Sequence, residues 1–298
     1  MSMLRSILAA TDFSPPSRHA TERAARLASD QGATLHLVHT LGATALDDLR
    51  RWLGDDDTTC DTLEAEAREQ LRTLGAELAQ RHGARVVEAL VPGPPVDAVT
   101  REAERLDPDL LVTGTRGSGF FRGVVFGSTA ERIARRSQRP VLMVREPGHA
   151  PYRRVLVPVD FSPWSLSAVE LALRTAPQAT LVLTHALELP FEGKLRLAGV
   201  ADTVVARYRH EARREAEERL RQLAAASQLS PDRVQFAIPE GADPWMLVVQ
   251  QEQERECDLI VIGKHGRHAL EELLLGSTTR MVIAEGRADV LVSPAHRN

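Results

Sequence analysis

Two short segments concentrate the residue types that hold anions without side-chain charge. Gly114-Thr-Arg-Gly117 is separated by nine residues from Gly127-Ser128-Thr129. Gly263-Lys-His-Gly266 is separated by the same nine from Gly276-Ser277-Thr278. Glycine has no Cβ, so such a loop can take positive φ at Gly114 and Gly117 and turn bare N–H groups toward a ligand. Gly127 lets an anion approach the start of a helix, where Ser128 and the first-turn amides add donors and the positive end of the dipole. The chemistry implied is a phosphate cradle that needs no lysine. Three glycines and a Ser/Thr at fixed spacing arise by chance in on the order of one in a hundred such chains, and two copies far more rarely. The bland alternative is a pair of tight turns kept by the fold.

Asp12 and Asp160 are the second feature. Each closes a short apolar run, Ile7-Leu-Ala-Ala-Thr-Asp12 and Val155-Leu-Val-Pro-Val-Asp160. A carboxylate at a strand end accepts from ribose hydroxyls or helps hold a divalent ion against phosphates. It serves equally as a cap for the following helix. His39 and His185 end the second strands and read as packing and hydrogen-bonding groups rather than catalysts. His265 and His268 lack the carboxylate support of a metal site. Neither Gly-x4-Gly-Lys-Ser/Thr nor Gly-x-Gly-x2-Gly occurs, which disfavours a P-loop NTPase and a dinucleotide dehydrogenase.

The elements that must position these residues come in two copies. Asp12-Phe-Ser14-Pro15 returns as Asp160-Phe-Ser162-Pro163, Leu35–His39 as Leu181–His185, Asp109–Gly114 as Asp258–Gly263, and Val141–Val144 as Val290–Ser293. The offset is 148 residues at the aspartates and 149 at the glycine pairs. One domain has been duplicated: residues 1–146 and 153–298, joined by a Pro/Gly-containing linker at 147–152. Apolar runs at Ser6–Ala10, Thr34–His39, Val86–Leu90, Leu110–Thr113 and Val141–Val144 read as buried strands. Ser14-Pro15 and Ser162-Pro163 each supply an N-cap serine and a proline at the first helical position. Ala20, Ala24, Leu27 and Ala28 form one helical face; Leu63, Leu71, Leu74 and Leu78 form another. The counterpart of the latter uses Val204, Tyr208, Ala212, Leu220 and Leu223, and the charges from Arg207 to Arg221 form its solvated side. The fold class that follows is α/β: two tandem, open, doubly wound domains, each with a five-stranded parallel sheet. Ligands of such sheets bind beyond the carboxyl ends of the strands, where the loops above lie.

Composition narrows the partners. A net charge of −4 and 4% aromatic residues supply neither the basic footprint nor the stacking platforms of a nucleic-acid binder. No apolar run reaches membrane-spanning length and the N-terminus does not read as a signal peptide. Two cysteines, Cys60 and Cys257, occupy non-equivalent places and fit a reducing compartment. A cytoplasmic protein without nucleic-acid or membrane partners is expected.

Asp-Phe-Ser after strand one, a histidine ending strand two and Gly-x2-Gly-x9-Gly-Ser together resemble the universal stress protein family, over the whole chain and twice, as in tandem members. The glycine pattern is that of the ATP-binding class. The resemblance implies that Ala10, Thr11 and Asp12 lie by the adenosine, that the backbone of Thr40 meets the adenine edge, and that Gly114, Gly117, Gly127, Ser128 and Thr129 hold ribose and phosphates. In the second half it implies Pro158, Val159, Asp160, Ala186, Gly263, Gly266, Gly276, Ser277 and Thr278. Asp12 and Asp160 would touch a nucleotide-bound Mg²⁺ or Mn²⁺. ATP is the implied cofactor, the two halves pair within the chain in place of a single-domain dimer, and a homodimer is left open. Departures stand at Ala10, where the family has the proline that Pro158 keeps, and at Asp289, which replaces the proline matched by Pro140. Arg122 lies near the first cradle, whereas Glu271 and Glu272 lie near the second. The function implied is a nucleotide-binding stress regulator. A slow ATPase or adenylate-handling enzyme and a nucleotide-free scaffold are the alternatives.

Overall fold

The computed structural model describes residues 3–42, 57–115, 127–145, 147–148, 150–190, 192–264 and 275–294. It divides into two compact units. The first holds the chain through Pro151 and adds Asp289–Pro294; the second is formed between Tyr152 and Ala288. Gly117, Arg122, Gly266, His265, His268, Glu271 and Glu272 lie outside the described residues.

In the first unit, β1 (Ser6–Thr11), β2 (Thr34–Leu41), β3 (Arg85–Pro92), β4 (Leu110–Gly114) and β5 (Val141–Val144) alternate with α1 (Pro15–Gln31), α2 (Asp57–His82), α3 (Pro95–Leu106) and α4 (Ser128–Arg136). The strands pair in parallel in the order β3-β2-β1-β4-β5. Because helices cover a parallel sheet, β1, β4 and β5 are apolar without alternation, and Ile7, Leu8, Leu35, Leu37, Leu110, Leu111, Leu142 and Met143 are all fully buried. α1 begins where Ser14 accepts from the Ser17 amide and Pro15 starts the helix. It ends at Gly32 in the left-handed region, and it buries Ala20, Ala24, Leu27 and Ala28 as expected. β10 (Asp289–Ser293) lies antiparallel on β5, Val290 facing Met143 and Val292 facing Val141. This covers an apolar edge that would otherwise be open.

The second unit holds β6 (Arg154–Pro158), β7 (Thr180–Thr184), β8 (Val234–Ala237) and β9 (Leu259–Gly263), with α5 (Trp164–Thr175), α6 (Glu192–Leu197), α7 (Asp202–Ala226), α8 (Pro244–Glu254) and α9 (Ser277–Glu285). The parallel order is β9-β6-β7-β8. An aspartate before the fourth strand of each repeat pins the start of the first. Asp109 accepts from the Arg5 and Ser6 amides, and Asp258 from those of Arg153 and Arg154.

Three local expectations are corrected. Ser162 is not the side-chain cap of α5; that helix begins at Trp164 with Pro163 at helical angles, and the Ser165 amide donates to the Ser162 carbonyl rather than to its hydroxyl. α7 turns Val205, Ala216, Leu220 and Ala224 inward, while Val204 is 40% exposed, so its buried stripe runs one residue out of phase with part of the expected face. Gly114 and Gly263 do not take positive φ: each is the last residue of an extended strand, and Gly114 pairs with Val144 in the parallel ladder.

Candidate functional site

The strand ends gather the expected residues. Thr11 closes β1, Gly114 closes β4, and Thr40 lies one residue past the last β1–β2 pair, Thr11 with His39. In the second unit Pro158 closes β6, Gly263 closes β9, and Ala186 lies just beyond β7. Ala10, Asp12, Thr40, Pro158, Asp160 and Ala186 are half-buried, whereas Thr11 and Val159 are buried.

The same hydrogen bond closes the glycine loop in both halves. The Gly127 amide donates to the Thr115 carbonyl at 2.8 Å, and the Gly276 amide donates to the Lys264 carbonyl at 3.0 Å. Each loop is thereby cinched at its base, which brings the first turn of α4 or α9 to the carboxyl end of the preceding strand. Gly127 and Gly276 are the N-cap residues, both extended, and neither receives nor gives a side-chain cap. Ser128, Thr129 and Ser277 are exposed at that first turn, and Thr278 is half-buried. A helix entrance of this kind presents orphan amides and the positive end of the dipole. The two entrances differ in charge: α4 carries Glu131 in its first turn, and α9 carries no acid there. Lys264, buried at the first position after β9, is a cation where the first half has Thr115. Sequence reasoning passed over it, although its place inside Gly263-Lys-His-Gly266 was the available signal.

Asp12 and Asp160 each brace the turn that follows. Asp12 Oδ1 accepts from the Ser14 amide at 3.1 Å and the Ser14 hydroxyl at 2.5 Å. Asp160 Oδ1 accepts from the Ser162 amide at 2.9 Å and the Ser165 hydroxyl at 3.1 Å. The difference follows from one residue. In the first half the Thr11 hydroxyl sits 3.0 Å from that of Ser17, the serine equivalent to Ser165. Val159 offers no hydroxyl, so Ser165 turns to the aspartate.

The turn itself is unusual. Phe13 has φ 62° and Phe161 φ 58°, left-handed backbone that a residue with a Cβ seldom takes. Each ring lies on a histidine at the carboxyl end of the neighbouring strand, at 4.3 Å from His39 and 4.4 Å from His185. Those histidines place Nδ1 2.8 Å from the Thr11 carbonyl and 2.7 Å from the Val159 carbonyl. A carbonyl only accepts, so Nδ1 carries the proton and donates, which fits the packing role expected of both residues. Arg219 of α7 covers the Phe161 ring at 4.1 Å. The phenylalanine and its φ were missed from sequence; a repeated Asp-Phe-Ser was the signal.

The described residues hold no cluster of three metal-ligating side chains. One carboxylate per half suits a divalent ion that takes its remaining ligands from phosphates and water. Cys257 is buried and its thiol is pushed up to about 12 by desolvation, so it is no nucleophile. No described helix is long and apolar enough to cross a membrane.

Comparison with known proteins gives one consistent picture. Universal stress protein Rv1996 of Mycobacterium tuberculosis is 28% identical over 62% of this chain, and the match spans 58% of that protein's own length. Universal stress protein A homolog 2 of Coxiella burnetii is 33% identical over 47% of this chain and 93% of its own. A universal stress protein from Archaeoglobus fulgidus has a solved structure that superposes with a TM-score of 0.68 at 20% identity. It covers 97% of this chain and 98% of that one, a likeness of fold. The sequence model of the universal stress protein family matches residues 3–145 and again 151–294, so the chain belongs to that family, with two copies of its domain.

Proposed function

We propose that the chain is a nucleotide-binding regulator of the cytoplasm that holds ATP in both halves, each half being one domain, 1–146 and 153–298, joined at 147–152. The observation that carries this reading is the repeated loop closure, Gly127 to Thr115 and Gly276 to Lys264, beside an uncapped helix entrance. Twice the fold sets orphan first-turn amides at the carboxyl end of a parallel strand, next to a half-buried aspartate. A triphosphate is the ligand such amides suit, because their positive charge is fixed in the backbone.

In this reading Gly114, Gly117, Gly127, Ser128 and Thr129 hold ribose and phosphates in the first half, and Gly263, Gly266, Gly276, Ser277 and Thr278 in the second. Ala10, Thr11, Asp12 and Thr40, with Pro158, Val159, Asp160 and Ala186, line the nucleoside. Asp12 and Asp160 would contact Mg²⁺ or Mn²⁺ carried in with the phosphates, and the metal would supply only charge neutralisation.

The test is equilibrium binding of Mg·ATP to the purified chain and to Gly117→Ala, Gly266→Ala and the double variant. Each single variant should lose one class of site, and the double variant both. Unchanged affinity and stoichiometry in all three would reject the assignment.

A further inference from the structure

Asp289 stands where the first half has Pro140, and the structure gives that departure a use. It is buried at the start of β10. One oxygen accepts from the Arg145 amide at 2.9 Å, and the other lies 3.5 Å from Arg23 Nε on α1. The two side chains are 9% and 6% exposed. Arg23 also donates to the Ala150 carbonyl at 2.7 Å, and its guanidinium lies where a Cβ on Gly148 would stand. One buried cation therefore ties α1, the linker and the last strand together within the first unit.

The corresponding residues carry no charge. By the repeat, Arg23 matches Leu171 on α5 and Asp289 matches Pro140 before β5. Charge answers charge in one pairing, and the other two residues are both apolar. We propose that Arg23 and Asp289 are a recognition code that makes the β5 edge of the first unit take the chain's own last strand rather than β5 of a second copy. A copy of β5 would bring Pro140 to Arg23 and deprive that buried guanidinium of the Asp289 carboxylate. That mismatch costs far more than an intact pair gains. The partner this edge fits is an antiparallel apolar strand opening with a carboxylate. The argument does not depend on nucleotide binding.

The test compares full-length wild type with Arg23→Leu, Asp289→Pro and the double variant, which puts the apolar set in both places. Either single variant should melt roughly 5–10 °C lower, and the double variant should recover most of that loss. Two differently tagged preparations of each protein are then unfolded in urea, mixed, refolded and passed over both affinity resins. Wild type should yield little doubly tagged material and the double variant several-fold more, because stability returns without selectivity. Unshifted single variants, or a double variant that mixes no more than wild type, would overturn the proposal. Should Asp289→Pro fail to fold, Asp289→Asn keeps the acceptor for Arg145 and loses the charge. Faster amide exchange at Val141 and Met143, the β5 amides on the β10 side, is expected in it, and exchange equal to wild type would count against the code.

Discussion

Phe13 and Phe161 hold a backbone conformation that costs an L-residue about 1–2 kcal/mol, yet the chain keeps it twice. The ring contacts with His39 and His185 offset that cost, and in the second half Arg219 adds a face. The two contributions can be separated. Phe161→Ala removes the ring and keeps the strain, whereas Phe161→Gly removes both. The glycine variant should therefore be the more stable by about 1 kcal/mol, although glycine is ordinarily the poorer choice. Urea denaturation of both variants measures the difference. An alanine variant at least as stable as the glycine variant would mean that the turn is not strained.

Most elements were legible in the chain because burial on both faces of a parallel sheet leaves continuous apolar runs. β1, β2, β4 and β5 fall within two residues of where those runs place them. α6 was not anticipated, because Glu-Gly-Lys-Leu-Arg-Leu is too short and too polar to show a period. The phase of α7 slipped because its alanines and leucines fit two adjacent faces. The candidate site was legible as residue types and spacing. The base hydrogen bond that closes each loop was not, since its donor and acceptor are main-chain groups of unremarkable residues. The contact between β2 and α3 was equally hidden. There Arg105 bonds Glu102 at 2.6 and 2.9 Å and holds its carboxyl below the ordinary 4.5, while burial holds His36 below 6.5. Both shifts weaken the fold on acidification, in different windows. A depressed histidine costs stability as pH falls below 6.5, because the unfolded chain takes up the proton first. A depressed carboxyl contributes above 4.5 and loses that contribution as pH falls through its lower folded value. Glu102→Gln should remove the lower step and deepen the upper, since burial is the main cause at His36 and the Glu102 charge opposes it. Urea midpoints from about pH 3 to 8 read both steps. An unchanged acid limb in the variant would place the proton uptake elsewhere.

At the scale of the whole chain, duplication has kept the sheet order and the loop spacing and let the residues beside the last strand diverge, Arg23 and Asp289 standing against Leu171 and Pro140. Single-letter patterns carry no trace of that divergence, because an ion pair between residues far apart in sequence has no period. Only the substitution of Asp289 for a proline hinted at it. Gly148 gives the consequence a sharp form. It is a linker residue whose missing Cβ leaves room for the Arg23 guanidinium, and that guanidinium cannot swing aside while Ala150 and Asp289 hold it. Gly148→Ala should therefore destabilise the protein by about 1–3 kcal/mol, as overpacking of a filled interior does. In an Arg23→Ala background the obstruction is gone, and the same change should be nearly neutral. A urea-denaturation double-mutant cycle separates the two explanations. An equal loss in both backgrounds would trace the effect to the glycine backbone. A loss confined to the arginine-containing chain would mean that the linker is fitted to the same cation that holds the last strand.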